Sequence, residues 1–227
     1  MKNGCFIKIC GVTRLEDVEL IGGSGADYIG LLVNMPSPRT LDPEKASVFA
    51  SRSKIPVIIL FFNPEEGLVV ECAERIRPSG VQLQGDETPE FVASLRARLD
   101  CEIWKAVHIP ADAGADLDAG AYKERIAAYA ESGVNKALLD TIVRKGDTRL
   151  MGGTGVTYDW NAARVIAAES PLPVIMAGGL TPENVAEAIR TVRPAGVDLA
   201  SGVESSKGIK DPAKVTAFVK NVRSAEI

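Results

Sequence analysis

The stretch Phe6-Ile7-Lys8-Ile9-Cys10-Gly11-Val12-Thr13 decides how the rest of the chain is read. Its apolar run is too short for a helix and is closed by Gly11. Thr13, with Glu16 three residues on, predicts a capping box that opens a helix. A strand that hands over to a helix within three residues is the first half of a βαβ unit. Cys10 therefore sits at the C-terminal tip of a strand, the position from which repeated strand–helix proteins do their chemistry. A free cysteine is also commonly a small buried hydrophobe, so this segment alone leaves both roles open.

The same unit recurs along the chain. Short runs rich in Val, Ile and Leu appear at Phe6–Cys10, Tyr28–Val33, Val57–Phe62, Val81–Gln84, Ile103–Ile109, Lys136–Asp140, Val174–Ala177 and Val197–Ala200. Such runs suit parallel strands covered on both faces. Between them lie segments with helical spacing: Leu15, Val18 and Ile21 share a face, as do Val185, Ala188 and Ile189. Five times a polar capping residue precedes proline: Asp42-Pro43, Asn63-Pro64, Thr88-Pro89, Thr181-Pro182 and Asp211-Pro212. Each predicts a helix start, because the N–H that proline lacks would have been unpaired there anyway. Eight runs in 227 residues give about 28 residues per unit, close to the ~30 of a βαβ repeat. A closed (β/α)8 TIM barrel of the α/β class is the economical solution, since closure leaves no sheet edge. An open doubly wound sheet is the competing arrangement, weakened by the lack of G-x-G-x-x-G after the first strand. With no composition break or linker, residues 1–227 read as one domain.

Composition narrows the function. The net charge is -4, and lysines and arginines are scattered. No broad cationic field exists for nucleic acid or anionic lipid. No apolar stretch approaches the ~20 residues that span a bilayer, and Met1-Lys2-Asn3-Gly4 carries no signal-peptide pattern. Cys5, Cys10, Cys72 and Cys101 show no metal-ligand spacing, and the single His108 has no partner at ligand distance. Reduced thiols, a cytoplasmic setting and no metal site are expected, with Cys5, Cys72 and Cys101 as packing residues.

In a barrel every strand's C-terminal end faces one mouth. Cys10 ends strand one, Arg39 follows strand two and Asp140 ends strand six, so a thiol, a cation and a carboxyl group can converge on one ligand. Taken singly, Asp140 could equally cap its loop or pair with Arg144, and Arg39 could be a surface residue. Glycine clusters mark the late loops: Gly152-Gly153-Thr154-Gly155, Ala177-Gly178-Gly179-Leu180 and Ala200-Ser201-Gly202-Val203. Glycine lets backbone N–H groups approach an oxyanion, and barrels commonly hold phosphate after strands seven and eight. Ordinary turn chemistry also uses glycine. Three such loops on one rim favour a phosphate site including Gly155, Gly178, Gly179, Ser201 and Gly202.

From Lys8 to about Asp211 the chain resembles the phosphoribosylanthranilate isomerase family of tryptophan biosynthesis. The resemblance is carried by Lys8-Ile9-Cys10-Gly11-Val12-Thr13, Ser37-Pro38-Arg39, Val81-Gln82-Leu83-Gln84-Gly85-Asp86-Glu87, Leu138-Leu139-Asp140, Gly152-Gly153-Thr154-Gly155, Ala177-Gly178-Gly179-Leu180-Thr181-Pro182-Glu183-Asn184-Val185, Gly196-Val197-Asp198 and Ser201-Gly202-Val203-Glu204. It implies a cofactor-free barrel acting on a small phosphosugar: the Amadori rearrangement of N-(5-phosphoribosyl)anthranilate to 1-(2-carboxyphenylamino)-1-deoxyribulose 5-phosphate. By resemblance Cys10 is the general base, Asp140 the general acid and Arg39 the holder of the anthranilate carboxylate. A thiol titrating near 8.5 would need cations or backbone N–H groups to stabilise its thiolate.

Two positions depart from the family pattern. Gln84 stands where the family usually has histidine; it can hydrogen-bond but cannot titrate. The second-strand exit, Leu31-Leu32-Val33-Asn34-Met35-Pro36, lacks the family's frequent aromatic residue, leaving Met35 as a softer filler against the substrate ring. Three other readings compete with the isomerase: a diverged paralogue acting on another phosphorylated aminosugar, a non-catalytic phosphosugar-binding barrel, and a Schiff-base aldolase using Lys8 or Lys105.

Overall fold

Successive residues of a strand face opposite ways, and in β1 (Phe6–Cys10) this alternation feeds two cores. Ile7 and Ile9 pack outward beneath the helices, whereas Phe6 and Cys10 join an inner cluster with Leu32, Ile58, Leu60, Trp104, Ala106, Leu138, Ile175 and Ala177. The computed structural model describes residues 4–112, 117–145, 148–151 and 157–225. After β1 come α1 (Leu15–Ser24), β2 (Tyr28–Asn34), α2 (Pro43–Arg52), β3 (Val57–Phe61), α3 (Glu66–Ile76), β4 (Gly80–Leu83) and α4 (Pro89–Arg96). There follow β5 (Glu102–Pro110), α5 (Ala119–Glu131), β6 (Lys136–Lys145), β7 (Thr148–Met151), α6 (Trp160–Glu169), β8 (Val174–Met176), α7 (Val185–Val192) and β9 (Gly196–Leu199). The chain continues through a 3₁₀ turn (Ser201–Val203), β10 (Glu204–Ser206) and β11 (Ile209–Lys210) into α8 (Pro212–Ser224).

Strands β1 to β6, β8 and β9 run parallel in that order, and β9 returns to pair with β1, Phe6 opposite Gly196 and Ile9 opposite Leu199. That last ladder closes an eight-stranded (β/α)8 barrel and rules out the open sheet. Two antiparallel additions interrupt the repeat. β6 runs past Asp140 through the β-branched Thr141, Ile142 and Val143 and folds back on β7, with Ile142 opposite Met151. β10 and β11 form a short ladder over the end of β1.

Three of the five cap–proline pairs start helices as expected. The side chains of Asp42, Thr88 and Asp211 accept from backbone N–H groups at the starts of α2, α4 and α8. The other two do not. Asn63 takes φ 45°, its Oδ1 accepts from Asp86 N, and α3 begins after Glu65. At Thr181 the chain makes another turn first, and Asn184 precedes α7, accepting from Thr181 N at 2.8 Å. The capping box at Thr13 is also overturned: Arg14 precedes α1, and the Thr13 hydroxyl donates to Gly208 O at 2.6 Å instead. A tertiary acceptor took the hydroxyl that local spacing had assigned to the helix.

The end of the barrel away from the late loops is plugged by rings. Phe6, Tyr28 and Trp104 meet pairwise, with centroids 5.2 to 5.8 Å apart. Each such pair adds about 0.5–1.5 kcal/mol beyond its buried area. Above this plug Lys8, fully buried, pairs with Asp198 at 2.8 Å. Asp198 carries negative charge into the middle of the barrel, and Lys8 balances it.

Candidate active site

A cavity of about 440 Å³ opens at the C-terminal end of the barrel. Its wall includes Cys10, Arg39, Gln84, Asp140, Gly178, Gly179, Ser201 and Gly202, so eight of the nine expected site residues share one cavity. Gly155 lies outside the described residues, as do its neighbours Gly152, Gly153 and Thr154.

Cys10 ends β1 and is buried, with its thiol on the cavity wall. It fits because its neighbour on β2 is Gly30. A Cβ there would lie 2.5 Å from Cys10 Sγ, closer than any side chain can approach. The thiol does not meet the expectation of a stabilised thiolate. Burial pushes it up to about 11; the charges of Lys8 and Lys210 and the N–H of Gly11 pull it down, but burial with the charge of Asp198 outweighs them. Cys10 rests as a thiol.

Asp140 does not end its strand; it sits mid-way along β6, where parallel pairing with β8 has just stopped at Leu139. Its Oδ1 accepts from Thr141 N at 2.8 Å and its Oδ2 from Gln84 Nε2 at 2.7 Å. Burial, reinforced by the charge of Asp198, raises its pKa to about 7. The position depends on Gly178, with φ 85°: a Cβ there would come within 2.0 Å of Thr141 Oγ1, the residue next to the acid.

Gln84 thus touches the acid directly, and Gln82 in turn donates to Gln84 Oε1 at 2.6 Å. Neither amide titrates, so this line orients Asp140 without competing for its proton. Behind it, His108 Nε2 donates to Gln84 O at 2.8 Å, and burial holds its pKa below the usual imidazole value. The β4 exit is pinned by Glu87, whose Oε1 accepts from Asn63 N and Gly85 N. Lys105 is spent on the same loop, donating to Gly85 O and pairing with Glu87. Lys8 and Lys105 are both buried in ion pairs and neither lines the cavity, which removes the Schiff-base reading.

Arg39 is buried rather than splayed at the surface. Its Nε and Nη2 donate to the two carboxylate oxygens of Glu204 at 2.8 and 2.6 Å. Part of the cavity wall is apolar: Leu32, Met35, Leu60 and Phe62. Phe62, just after β3, supplies an aromatic ring that the β2 exit lacks. A phenylalanine closing a strand of Val, Ile and Leu gives no sign in the sequence that it faces a ligand. Nothing in the sequence singles out Asp198, Glu204, Lys210 or Phe62 for a role, and each of the first three has a partner 165 to 200 residues away. Gly178 and Gly179, at φ 85° and 65°, bring bare backbone to the cavity, and Asn184 fixes their loop by donating to Gly179 O at 3.0 Å. Among the described residues no group of His, Cys, Asp or Glu could hold a metal ion, and no helix is long and apolar enough to cross a membrane.

Comparison with known proteins adds an independent observation. Residues 7–221 match the family model described as N-(5'phosphoribosyl)anthranilate (PRA) isomerase. The N-(5'-phosphoribosyl)anthranilate isomerase of Methanocella arvoryzae is 38% identical over 221 residues, covering 96% of this chain and 97% of its own. The solved N-(5'-phosphoribosyl)anthranilate isomerase of Pyrococcus furiosus superposes with a TM-score of 0.81 at 31% identity, over 96% of this chain and 98% of that one. A further solved phosphoribosyl anthranilate isomerase, in complex with reduced 1-(o-carboxyphenylamino)-1-deoxyribulose 5-phosphate, superposes with a TM-score of 0.77 at 29% identity, with 96% and 98% coverage.

Proposed function

The chain belongs to the N-(5'-phosphoribosyl)anthranilate isomerase family, and from that premise we propose which of its residues carry the reaction. The activity is the Amadori isomerisation of tryptophan biosynthesis, which turns N-(5'-phosphoribosyl)anthranilate into 1-(2-carboxyphenylamino)-1-deoxyribulose 5-phosphate. The observation that carries our assignment is that Cys10 and Asp140 line one cavity while burial keeps the Asp140 carboxyl protonated up to near-neutral pH.

Asp140 protonates the furanose ring oxygen as the C1–O bond breaks, and the nitrogen lone pair forms the Schiff base. Cys10, as thiolate, removes the proton on C2 and gives the enolamine. Protonation at C1 and loss of the C2 hydroxyl proton complete the aminoketose. Two protons enter and two leave, so no cofactor is needed to balance the step. The raised proton affinity of Cys10 makes the thiolate a strong base once formed, and Asp140 near 7 is an effective acid at neutral pH.

Arg39 receives the anthranilate carboxylate through charge-assisted hydrogen bonds, with the ring against Phe62, Met35 and Leu32. The phosphate lies at Gly178, Gly179, Ser201 and Gly202, where bare backbone reaches the cavity. Gln84 keeps Asp140 aimed at the ring oxygen. The single barrel core supports reading residues 1–227 as one domain. Four free cysteines and a diffusible phosphosugar substrate support a cytoplasmic setting, and the -4 charge argues against a nucleic-acid partner.

The test is the direct assay. Purified protein added to freshly formed N-(5'-phosphoribosyl)anthranilate should extinguish its anthranilate fluorescence. Unchanged fluorescence, with the reduced product analogue still bound, would leave only a phosphosugar-binding barrel.

A further inference from the structure

One buried carboxylate ties the substrate arm to the catalytic strand. Both oxygens of Glu204 are held by Arg39, and its Oε1 also accepts from Lys210 Nζ at 3.1 Å. The same ammonium donates to Cys10 O at 2.6 Å and to Ala200 O at 3.0 Å. We propose that Glu204 and Lys210 are positioning residues of the isomerisation: Glu204 aims Arg39 at the substrate carboxylate, and Lys210 holds the backbone of Cys10 in register with it. The proposal rests on reading Arg39 as the carboxylate-binding arm.

Arginine has five N–H donors in a rigid fork. Glu204 takes the side-on pair from Nε and Nη2, so the end formed by Nη1 and the second hydrogen of Nη2 is what remains for a ligand. The pair thus fixes both the plane of the guanidinium and the direction from which a carboxylate must arrive. Burial alone would raise Glu204; the hydrogen bond from Arg39 and the charge of Lys210 outweigh it, and the carboxyl sits below its ordinary value. Lys210 uses its three ammonium protons on three different elements: the end of β1, the β9 exit and β10. Because β10 and β11 are adjacent, this short ladder sets the distance between the base and the arm. Thr13 Oγ1 on Gly208 O and Asp17 Oδ2 on Lys210 N hold the ladder over β1.

Charge alone predicts the opposite of positioning, which makes the proposal testable. Glu204 places a negative charge against the cation that is to bind an anion, so simple electrostatics has Glu204→Gln binding substrate more tightly. Positioning has it binding more weakly. Steady-state isomerase assays on Glu204→Gln, Lys210→Met and Arg39→Met, with inhibition by inorganic phosphate measured on each, separate the cases. We expect Glu204→Gln to raise KM about tenfold with kcat within about threefold, and Lys210→Met to lower kcat about tenfold with KM within about threefold. Phosphate inhibition should stay at the wild-type value in Glu204→Gln, which a general disruption of the site would not allow. Unchanged or lowered KM in Glu204→Gln overturns the inference. If Arg39→Met leaves KM unchanged, the carboxylate arm itself is misassigned; if Arg39→Met raises KM and Glu204→Gln does not, only the positioning role fails. Should Glu204→Gln not fold, because Lys210 is left buried without its carboxylate, the double variant Glu204→Gln/Lys210→Met removes both charges. The same rise in KM is expected from it, and its absence overturns the inference.

Discussion

Asp140 and Cys10 hold their protons in the reverse of the working order. The proposed roles need the carboxyl protonated and the thiol ionised, but the carboxyl lets go near 7 and the thiol near 11. The working combination is therefore about 10⁻⁴ of the resting enzyme, from the four-unit gap between the two values. Below pH 7 the carboxyl is already protonated and the thiolate fraction grows tenfold per unit. Between 7 and 11 the carboxyl loses protons as fast as the thiol does, and the product stays level. A kcat/KM profile should thus climb as pH rises to about 7 and then flatten; a steep fall between pH 7 and 9 would contradict it. Asp140 also carries a stability signature. Its folded pKa lies above the ordinary 3.8, so folding favours the protonated form and stability is lost as pH rises towards about 7. At 1.36 kcal/mol per unit the loss is on the order of 4 kcal/mol. Asp140→Asn should lose about 10²–10⁴-fold in kcat yet be more stable than the parent in denaturant at pH 8, with the difference vanishing near pH 4. That Cys10 and Asp140 could meet was legible in the sequence because the C-terminal ends of barrel strands share a mouth, whereas their proposed roles as base and acid came from the family resemblance. Their proton affinities were not legible, because burial and the charge of Asp198 come from residues far along the chain.

Helix starts show what local spacing can and cannot decide. Asp42-Pro43, Thr88-Pro89 and Asp211-Pro212 cap their helices, each side chain accepting from a backbone N–H of the first turn. Asn63 and Thr13 carry equally good local signals but find tertiary partners, Asp86 N and Gly208 O. Replacing Asp42 or Thr88 by Ala should cost about 1 kcal/mol each in chemical denaturation. Glu16→Ala, by contrast, should stay within about 0.5 kcal/mol, because no capping box forms there. A loss of 1 kcal/mol or more from Glu16→Ala would restore the local reading. β6 taught the same lesson: Thr141, Ile142 and Val143 were available to extend the strand, but their hairpin partner β7 could not be read from one segment alone.

At the scale of the molecule the two ends of the barrel divide the work. The end closed by Phe6, Tyr28 and Trp104 holds the fold together, and the opposite end carries the cavity. Trp104→Ala should lower stability by about 3–5 kcal/mol while leaving kcat near wild type at temperatures where the variant is folded. A large drop in kcat at full foldedness would show that the ends are not separable. The architecture was legible because eight short apolar runs at a steady interval have few ways to avoid sheet edges. The Phe62 wall and the Glu204–Lys210 tie were not, since both depend on which loops meet across the mouth. The proposed mechanism requires two groups 130 positions apart, Cys10 and Asp140, to act on one substrate. The most direct measurement is the isomerisation rate of Cys10→Ala and Asp140→Asn beside the parent protein, with each variant shown to be folded and to bind the reduced product analogue. We predict a loss of about 10²–10⁴-fold in kcat for each, the usual share of a positioned acid or base. Either variant turning over within a few-fold of the parent would contradict the account.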